Sequence, residues 1–365
     1  MFCYKFLSTY KIDNQDSRQQ ELLSATITFL KFPLAVLVVI LHANPLTKPI
    51  EQIGIIDLVT NYPAFSALTW FFSRFLAYLA VPSFFVISGF LLFYNVGHFN
   101  RSVYQNKMRR RIMSLVIPYI TWNFIYFIFF WFTSPEYIPL YEPFDFHHES
   151  SPIKFFYELF VRPIDGPLWF IRNLFVMTLI SPVFYWSAHK MGFALPLFLL
   201  CLTQFTNSSI VESLLWFSMG VSLSVMRIDF LRLCRKVLPL CFFVLLAGLL
   251  IDLVVCSHTG EHYIIGHFSI FKIMLVFGWG YWMIERHHSW SNCKVLNQST
   301  FVIYAYHGAP LCWFLGVLFP TLINWGMGGV ILGYFLSVAL IIVGGVILSF
   351  FIHKSKMLTK FLTGR

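Results

Sequence analysis

The sequence predicts an all-α fold, a polytopic membrane helix bundle of about ten transmembrane helices with both termini in the cytoplasm. Composition is the first observation behind it. Of 365 residues, 58% are hydrophobic and 12% charged, half the charge of a soluble domain at about 25%. The 43 Phe residues suit helices that are apolar on every side. The second observation is length, since ten segments reach or nearly reach the roughly 20 apolar residues that a spanning helix needs. The third is the placement of charge, which tests the count.

The first segment, near 26–45, runs through "AVLVVILHANP", in which an unbroken apolar stretch ends at His42. The second, near 70–94, contains "AVPSFFVISGFLLFY", where Pro82 and Ser88–Gly89 are expected to interrupt the helix for close approach or a lined cavity. The third, near 112–133, opens in "KMRRRIMSLVIPYITWN", with a cationic cluster followed by Pro118–Tyr119. Proline there frees backbone carbonyls that neighbours or cavity water must satisfy. The fourth, near 167–187, opens on "DGPLWFIRN", with proline at a helix start and Trp169 suited to the outer interface. The fifth and sixth, near 191–206 and 210–226, are short and joined by "TNSS". The seventh and eighth lie near 237–256 and 264–284. The ninth, near 299–319, carries His307 within "STFVIYAYHGAP", and the tenth lies near 328–352.

With ten spans and a cytoplasmic N-terminus, the outer loops keep only Lys48, Lys154 and Arg162. Arg74, Arg172 and Lys272 fall within spans, and the rest of the 26 Lys and Arg face the cytoplasm. That asymmetry is what the positive-inside rule demands. The expected organisation is a cytoplasmic segment at 1–23, a transmembrane domain at 24–352 and a basic cytoplasmic tail at 353–365. Attraction of cytoplasmic loops to anionic lipid accounts for the net charge of +10 without nucleic acid. The N-terminal stretch is too polar for a cleaved signal sequence. The seven cysteines are scattered without a C-x-x-C pair and read as apolar fillers. The long acidic loop at 134–166 is either a lid over an outward pocket or a solvated loop, and its His147–His148 pair lacks partners at metal spacing. No metal is expected.

No acid is expected mid-span: Glu212 and Asp252 fall near outer helix ends and the others in loops or the amphipathic start. A carboxylate relay inside the membrane is therefore not expected. Histidine remains as the group that titrates near neutral pH. His42 and His307 stand inside spans, with His267 near an outer end. His42 follows Lys31 by eleven residues, about 16 Å along a helix, well inside the bilayer. Such a residue faces the bundle interior and marks a functional site, or is a neutral imidazole bonded to a neighbouring helix. Lys107, Arg109, Arg110 and Arg111 could clamp the phosphates of a cytosolic nucleotide or coenzyme, or simply anchor the span.

Taken in order, the His42 ending of the first span, "VPSFFVISGFLL", the basic cluster ahead of "LVIPYITWN", "GPLWF" and "STFVIYAYH" resemble the acyltransferase 3 family over about residues 24–350. These are membrane enzymes, chiefly bacterial, that acylate surface carbohydrates. The resemblance implies transfer of an acyl group, usually acetyl, from cytoplasmic acyl-CoA (acetyl-CoA in the first instance) to a sugar hydroxyl. It implies His42 as the catalytic residue. The family's R-x-x-R-like motif maps onto Lys107-x-x-Arg110, starting here with Lys, and Arg111 could equally fill the second place. Lys31 stands where relatives often have Arg. Ser88, Tyr119, Trp169 and His307 are the candidates for substrate or oxyanion contacts. The expected partners are a carbohydrate acceptor and the lipid bilayer of a bacterial inner membrane, with a homodimer as the open oligomeric alternative. A transporter or flippase of a lipid-linked or anionic substrate is the rival class, because broken helices and a buried histidine suit it too.

Overall fold

A backbone surrounded by lipid has to satisfy its own N–H and C=O groups, and a helix does so within one segment. The computed structural model describes residues 17–43, 61–132, 152–206, 208–259 and 268–365, and among these every regular element is helical. The acidic loop up to residue 151, His267 and part of the "TNSS" connection lie outside the described residues, as does the start of the N-terminal segment.

Helix α1 (Ser17–His42) carries the first apolar run. Helix α2 (Pro63–Phe93) contains a π-helical turn at Trp70–Leu76 and a 3₁₀ turn at Ala77–Leu79. Helix α3 (Arg101–Phe132) contains a π-helical turn at Ile112–Val116. A short α4 (Pro152–Phe160) precedes α5 (Trp169–Leu179) and α6 (Ser181–Met191). Then follow α7 (Ala194–Leu202), α8 (Ser209–Val225), α9 (Phe230–Thr259) and α10 (Ser269–Arg286). The last four are α11 (Lys294–Tyr306), α12 (Gly308–Leu322), α13 (Gly326–Ile352) and α14 (Lys356–Thr363).

Every expected segment is helical, but among the described residues only five stretches are long and apolar enough to cross a membrane, or six with the bent α5–α6 pair. The difference from ten has physical causes. Helix α7 has nine residues and α8 seventeen, short of a full crossing each. The stretch Gly308–Ile352 counts once although it turns at Ile323–Gly326, where Gly326 takes a φ of 64°. Its two arms then pack together, with Gly333 beside Phe319.

Two breaks fall elsewhere than expected. Helix α2 runs unbroken through Pro82 and Ser88–Gly89. Gly89 instead lies against the carbonyl of Phe217, and Gly220 against that of Val86, so a side chain at either would overlap backbone. The small residues serve close approach of α2 and α8. In α3 the deformation precedes Pro118. Its ring cannot accommodate the carbonyl of Ser114 one turn back, and the helix widens over Ile112–Val116.

The chain divides into two units. One comprises residues up to 34 with 79–104 and 177–297, and holds the α2–α8 seam. There α9 meets α10 at Gly278, whose missing side chain admits the carbonyl of Cys234. Asp252, expected near an outer helix end, is fully buried in α9, in electrostatic contact with the buried Lys272 of α10. A cation on the neighbouring helix offsets the desolvation that makes such a carboxylate costly. The other unit comprises 35–78, 105–176 and 298–365. Its core is built from Phe65, Phe319 and Tyr334, with ring centroids 5.9 and 6.1 Å from Phe65.

Candidate active site

The site is assembled entirely within the second unit, from the end of α1 upward. His42 closes α1, and its Nδ1 lies 2.9 Å from the carbonyl of Val38 one turn back. That last turn is fixed from outside. The Ser73 hydroxyl donates to the carbonyl of Ile40 at 2.7 Å and lies 2.8 Å from the Tyr334 hydroxyl. Ser73 sits in the π-helical turn of α2, and the wider turn gives it its place.

His307 stands between α11 and α12, so the expected ninth span is broken at the residue that carries chemistry. Two carbonyls at the break find side-chain partners. Pro310 has no N–H for the carbonyl of Tyr306, which instead accepts the Tyr126 hydroxyl at 2.8 Å. The carbonyl of Tyr304 lies 2.6 Å from His307 Nδ1. The Tyr304 hydroxyl in turn donates to the carbonyl of Pro167.

The two histidines meet. His307 Nε2 lies 3.3 Å from His42 Nδ1, with ring centroids 4.9 Å apart. One proton placement satisfies all three contacts. His307 Nδ1–H donates to Tyr304, leaving its Nε2 lone pair to accept from His42 Nδ1–H, which is shared with Val38. The basic nitrogen of His42 is then Nε2. His307 is fully buried and His42 half-buried, so of the pair His42 is the one open to a substrate.

Beside this pair lies a group that sequence reasoning left in a loop. Asp165 is fully buried, and neither carboxylate oxygen has a hydrogen-bond partner. Gly308 admits it, because a side chain there would run into Oδ1. Burial pushes its carboxyl well above the usual carboxylate range. The loop is drawn inward by Asn123 of α3, whose amide oxygen accepts from the backbone N–H of Ile164 at 2.9 Å and whose amide nitrogen donates to the carbonyl of Tyr119. The signal was present in the sequence: an aspartate directly before Gly-Pro at the mouth of a span, in a chain with few charges.

The remaining expected residues divide between the units. Tyr119 is buried, with its hydroxyl 3.3 Å from the carbonyl of Phe160. Trp169 is half-buried at the start of α5, against Phe170, whose ring is 5.8 Å from Tyr304. Lys107 and Arg111 share one face of α3, both half-buried, while Arg109 and Arg110 are exposed. Among the described residues no carboxylate lies within ion-pair distance of Lys107, Arg110 or Arg111. An unpaired row of cations suits a polyanion. Lys31 and Ser88 belong to the first unit, each half-buried on its helix. Among the described residues no cluster of His, Cys, Asp and Glu could hold a metal ion.

A base held in one tautomer beside a break in a membrane helix can deprotonate a hydroxyl. A family model described as an acyltransferase domain matches residues 25–354, nearly the whole chain. No curated protein and no solved structure matches.

Proposed function

This chain belongs to the acyltransferase 3 family, and from that premise we propose that it is a ten-span O-acyltransferase of a bacterial inner membrane. Both termini lie in the cytoplasm. The enzyme carries an acyl group, acetyl in the first instance, from cytoplasmic acyl-CoA to a hydroxyl of a cell-surface polysaccharide or its sugar precursor. The single observation that supports this reading most is the hydrogen-bonded contact between half-buried His42 and buried His307 at a helix break.

In this reading His42 Nε2 takes the proton of the acceptor hydroxyl as its oxygen attacks the thioester carbonyl. The tetrahedral adduct collapses, the C–S bond breaks, and the coenzyme thiolate leaves with the proton returned by His42. The product ester and free thiol account for every atom, and the imidazole is regenerated. General-base assistance of this kind contributes about 10²–10⁴-fold. His307 is a positioning residue, since its Nε2 holds the His42 ring in the reactive tautomer. Tyr119 and Trp169, on the same unit as the histidine pair, are the candidates to stabilise the oxyanion, because both ring nitrogens of His307 are already engaged. Lys107, Arg110 and Arg111 are the candidates for the coenzyme phosphates, through charge-assisted hydrogen bonds. The carbohydrate and the bilayer are the partners, and a homodimer is compatible with the reading.

The test uses membranes containing the chain, labelled acyl-CoA and a cell-surface glycan preparation. Label should pass to the glycan, and His42→Ala should stop it while the protein still inserts. Acyl transfer at the normal rate by His42→Ala, or movement of unmodified substrate without any donor, would overturn the reading. The second outcome would favour a flippase.

A further inference from the structure

The first unit holds a cavity of about 370 Å³, none of whose lining residues takes part in the chemistry above. It lies among the residues after α2, the end of α8 and the exposed end of α6. Four independent features meet there. Asn95 and Arg227 are the two non-glycine residues with left-handed backbone among the described residues, at φ of 59° and 57°, and both line this cavity. Such conformations cost energy, persist where the surroundings enforce them, and cluster at ligand sites. Ser224 is 6% exposed and its hydroxyl has no partner, and the buried hydroxyl of Tyr94 has none either. Unsatisfied buried hydroxyls are rare enough to need a reason.

The rings of Tyr185 and His189 stack at 5.9 Å and 4°, and the ring of Phe93 lies 5.4 Å from Tyr185. Arg227, His98 and His189 stand at the exposed rim, and no carboxylate lines the cavity. The acid whose charge reaches Tyr94 is Asp229, already engaged by the Gln19 side chain and the backbone N–H of Arg232. A floor of two donor hydroxyls, a shelf of flat rings and a cationic rim suit one kind of molecule. It bears phosphate at one end and a planar base at the other.

We propose that this cavity is a nucleotide-binding site. The phosphate takes hydrogen bonds from Arg227, Ser224 and Tyr94, and the base lies on the Tyr185–His189 stack. The nucleotide end of acyl-CoA and a free nucleotide share this chemistry. In the topology proposed above, all three segments around the cavity lie at the cytosolic side, where either is available. The site goes beyond the acyl-transfer reading and stands without it.

The full-length protein in lipid nanodiscs is titrated calorimetrically with ADP, coenzyme A, adenosine and inorganic phosphate. ADP should bind at least tenfold tighter than adenosine or phosphate alone. Arg227→Gly, which keeps the left-handed backbone, should weaken ADP about 10- to 100-fold, the loss of one charged hydrogen-bonding group. Ser224→Ala should weaken it less, and His189→Ala should erase much of the gain over phosphate. Unaltered melting temperatures serve as the folding control for each variant. Equal affinity for coenzyme A and ADP assigns the site to a free nucleotide, whereas coenzyme A binding tenfold tighter than ADP makes it part of the acyl donor's site and overturns the proposal of a site apart from the acyl-transfer chemistry. Failure of wild-type protein to bind ADP, or ADP binding unchanged in both Arg227→Gly and His189→Ala, overturns the proposal. ADP binding should survive in His42→Ala, so a failure here is distinct from a failure of the acyl-transfer reading.

Discussion

At the scale of single residues, the strongest expectations concern the histidine pair. His42→Ala should lower acyl transfer by about 10²–10⁴-fold, measured as labelled product per unit of inserted protein. His307→Gln can still accept from His42 Nδ1–H through its amide oxygen, so it should retain more activity than His307→Ala and restore part of the pH profile. Gly308→Ala would drive a methyl into the Asp165 carboxylate. A cost of about 1–3 kcal/mol is expected, read as a fall in melting temperature. For Asp165 the sign follows from burial, which raises its carboxyl in the folded protein. Its contribution to stability is complete below the unfolded-state value and is lost as pH rises through the folded one. Asp165→Asn stays neutral, so the variant should lose this slope and melt no lower than wild type at neutral pH. His42 was visible in the sequence because an imidazole after an apolar run has few bland explanations. Asp165 was marked only by its place before Gly-Pro, and its burial was not legible, because that depends on Asn123 capturing Ile164 from a distant helix.

At the scale of elements, the π-helical turn ahead of Pro118 carries a consequence for the coenzyme. Pro118→Ala would let Ile112–Val116 close into regular helix. Losing one residue of widening turns everything N-terminal to it by about 100°. Lys107 and Arg111 would then point elsewhere, and the KM for acyl-CoA should rise tenfold or more with kcat less affected. Helix α14 is held to this same turn. Gly364 has a φ of 69°, a Cβ there would lie 2.5 Å from Ser114 Cα, and the Trp122 indole donates to the carbonyl of Leu362 at 2.9 Å. Gly364→Val should release α14 and expose the chain near Ser355 to limited proteolysis. Helical segments were readable from apolar length alone. Their interruptions were not, since proline shows that a carbonyl is displaced but not where the helix absorbs it. Glycine likewise does not say whether it breaks a helix or lets another approach, and Gly89 turned out to do the second.

At the scale of the whole molecule, helix length and apolarity among the described residues support five or six crossings, where charge placement supports ten. A cysteine replacing Arg162 should react with an impermeant thiol reagent in intact cells, and one replacing Lys236 only after permeabilisation. The reverse pattern, or equal labelling, would remove the ten-span arrangement. Composition sufficed for the membrane, while the gathering of His42 with His307 from opposite ends of the chain required the folded structure. One knot within that unit reaches beyond chemistry into biogenesis. Ser73 joins the end of α1 to Tyr334, 261 residues further along. During synthesis the N-terminal part of a chain leaves the ribosome first. The turn bearing His42 therefore enters the bilayer early yet lacks its brace until α13 arrives. A chain truncated before α13 should therefore insert yet transfer no acyl group, read as labelled product per unit of inserted protein.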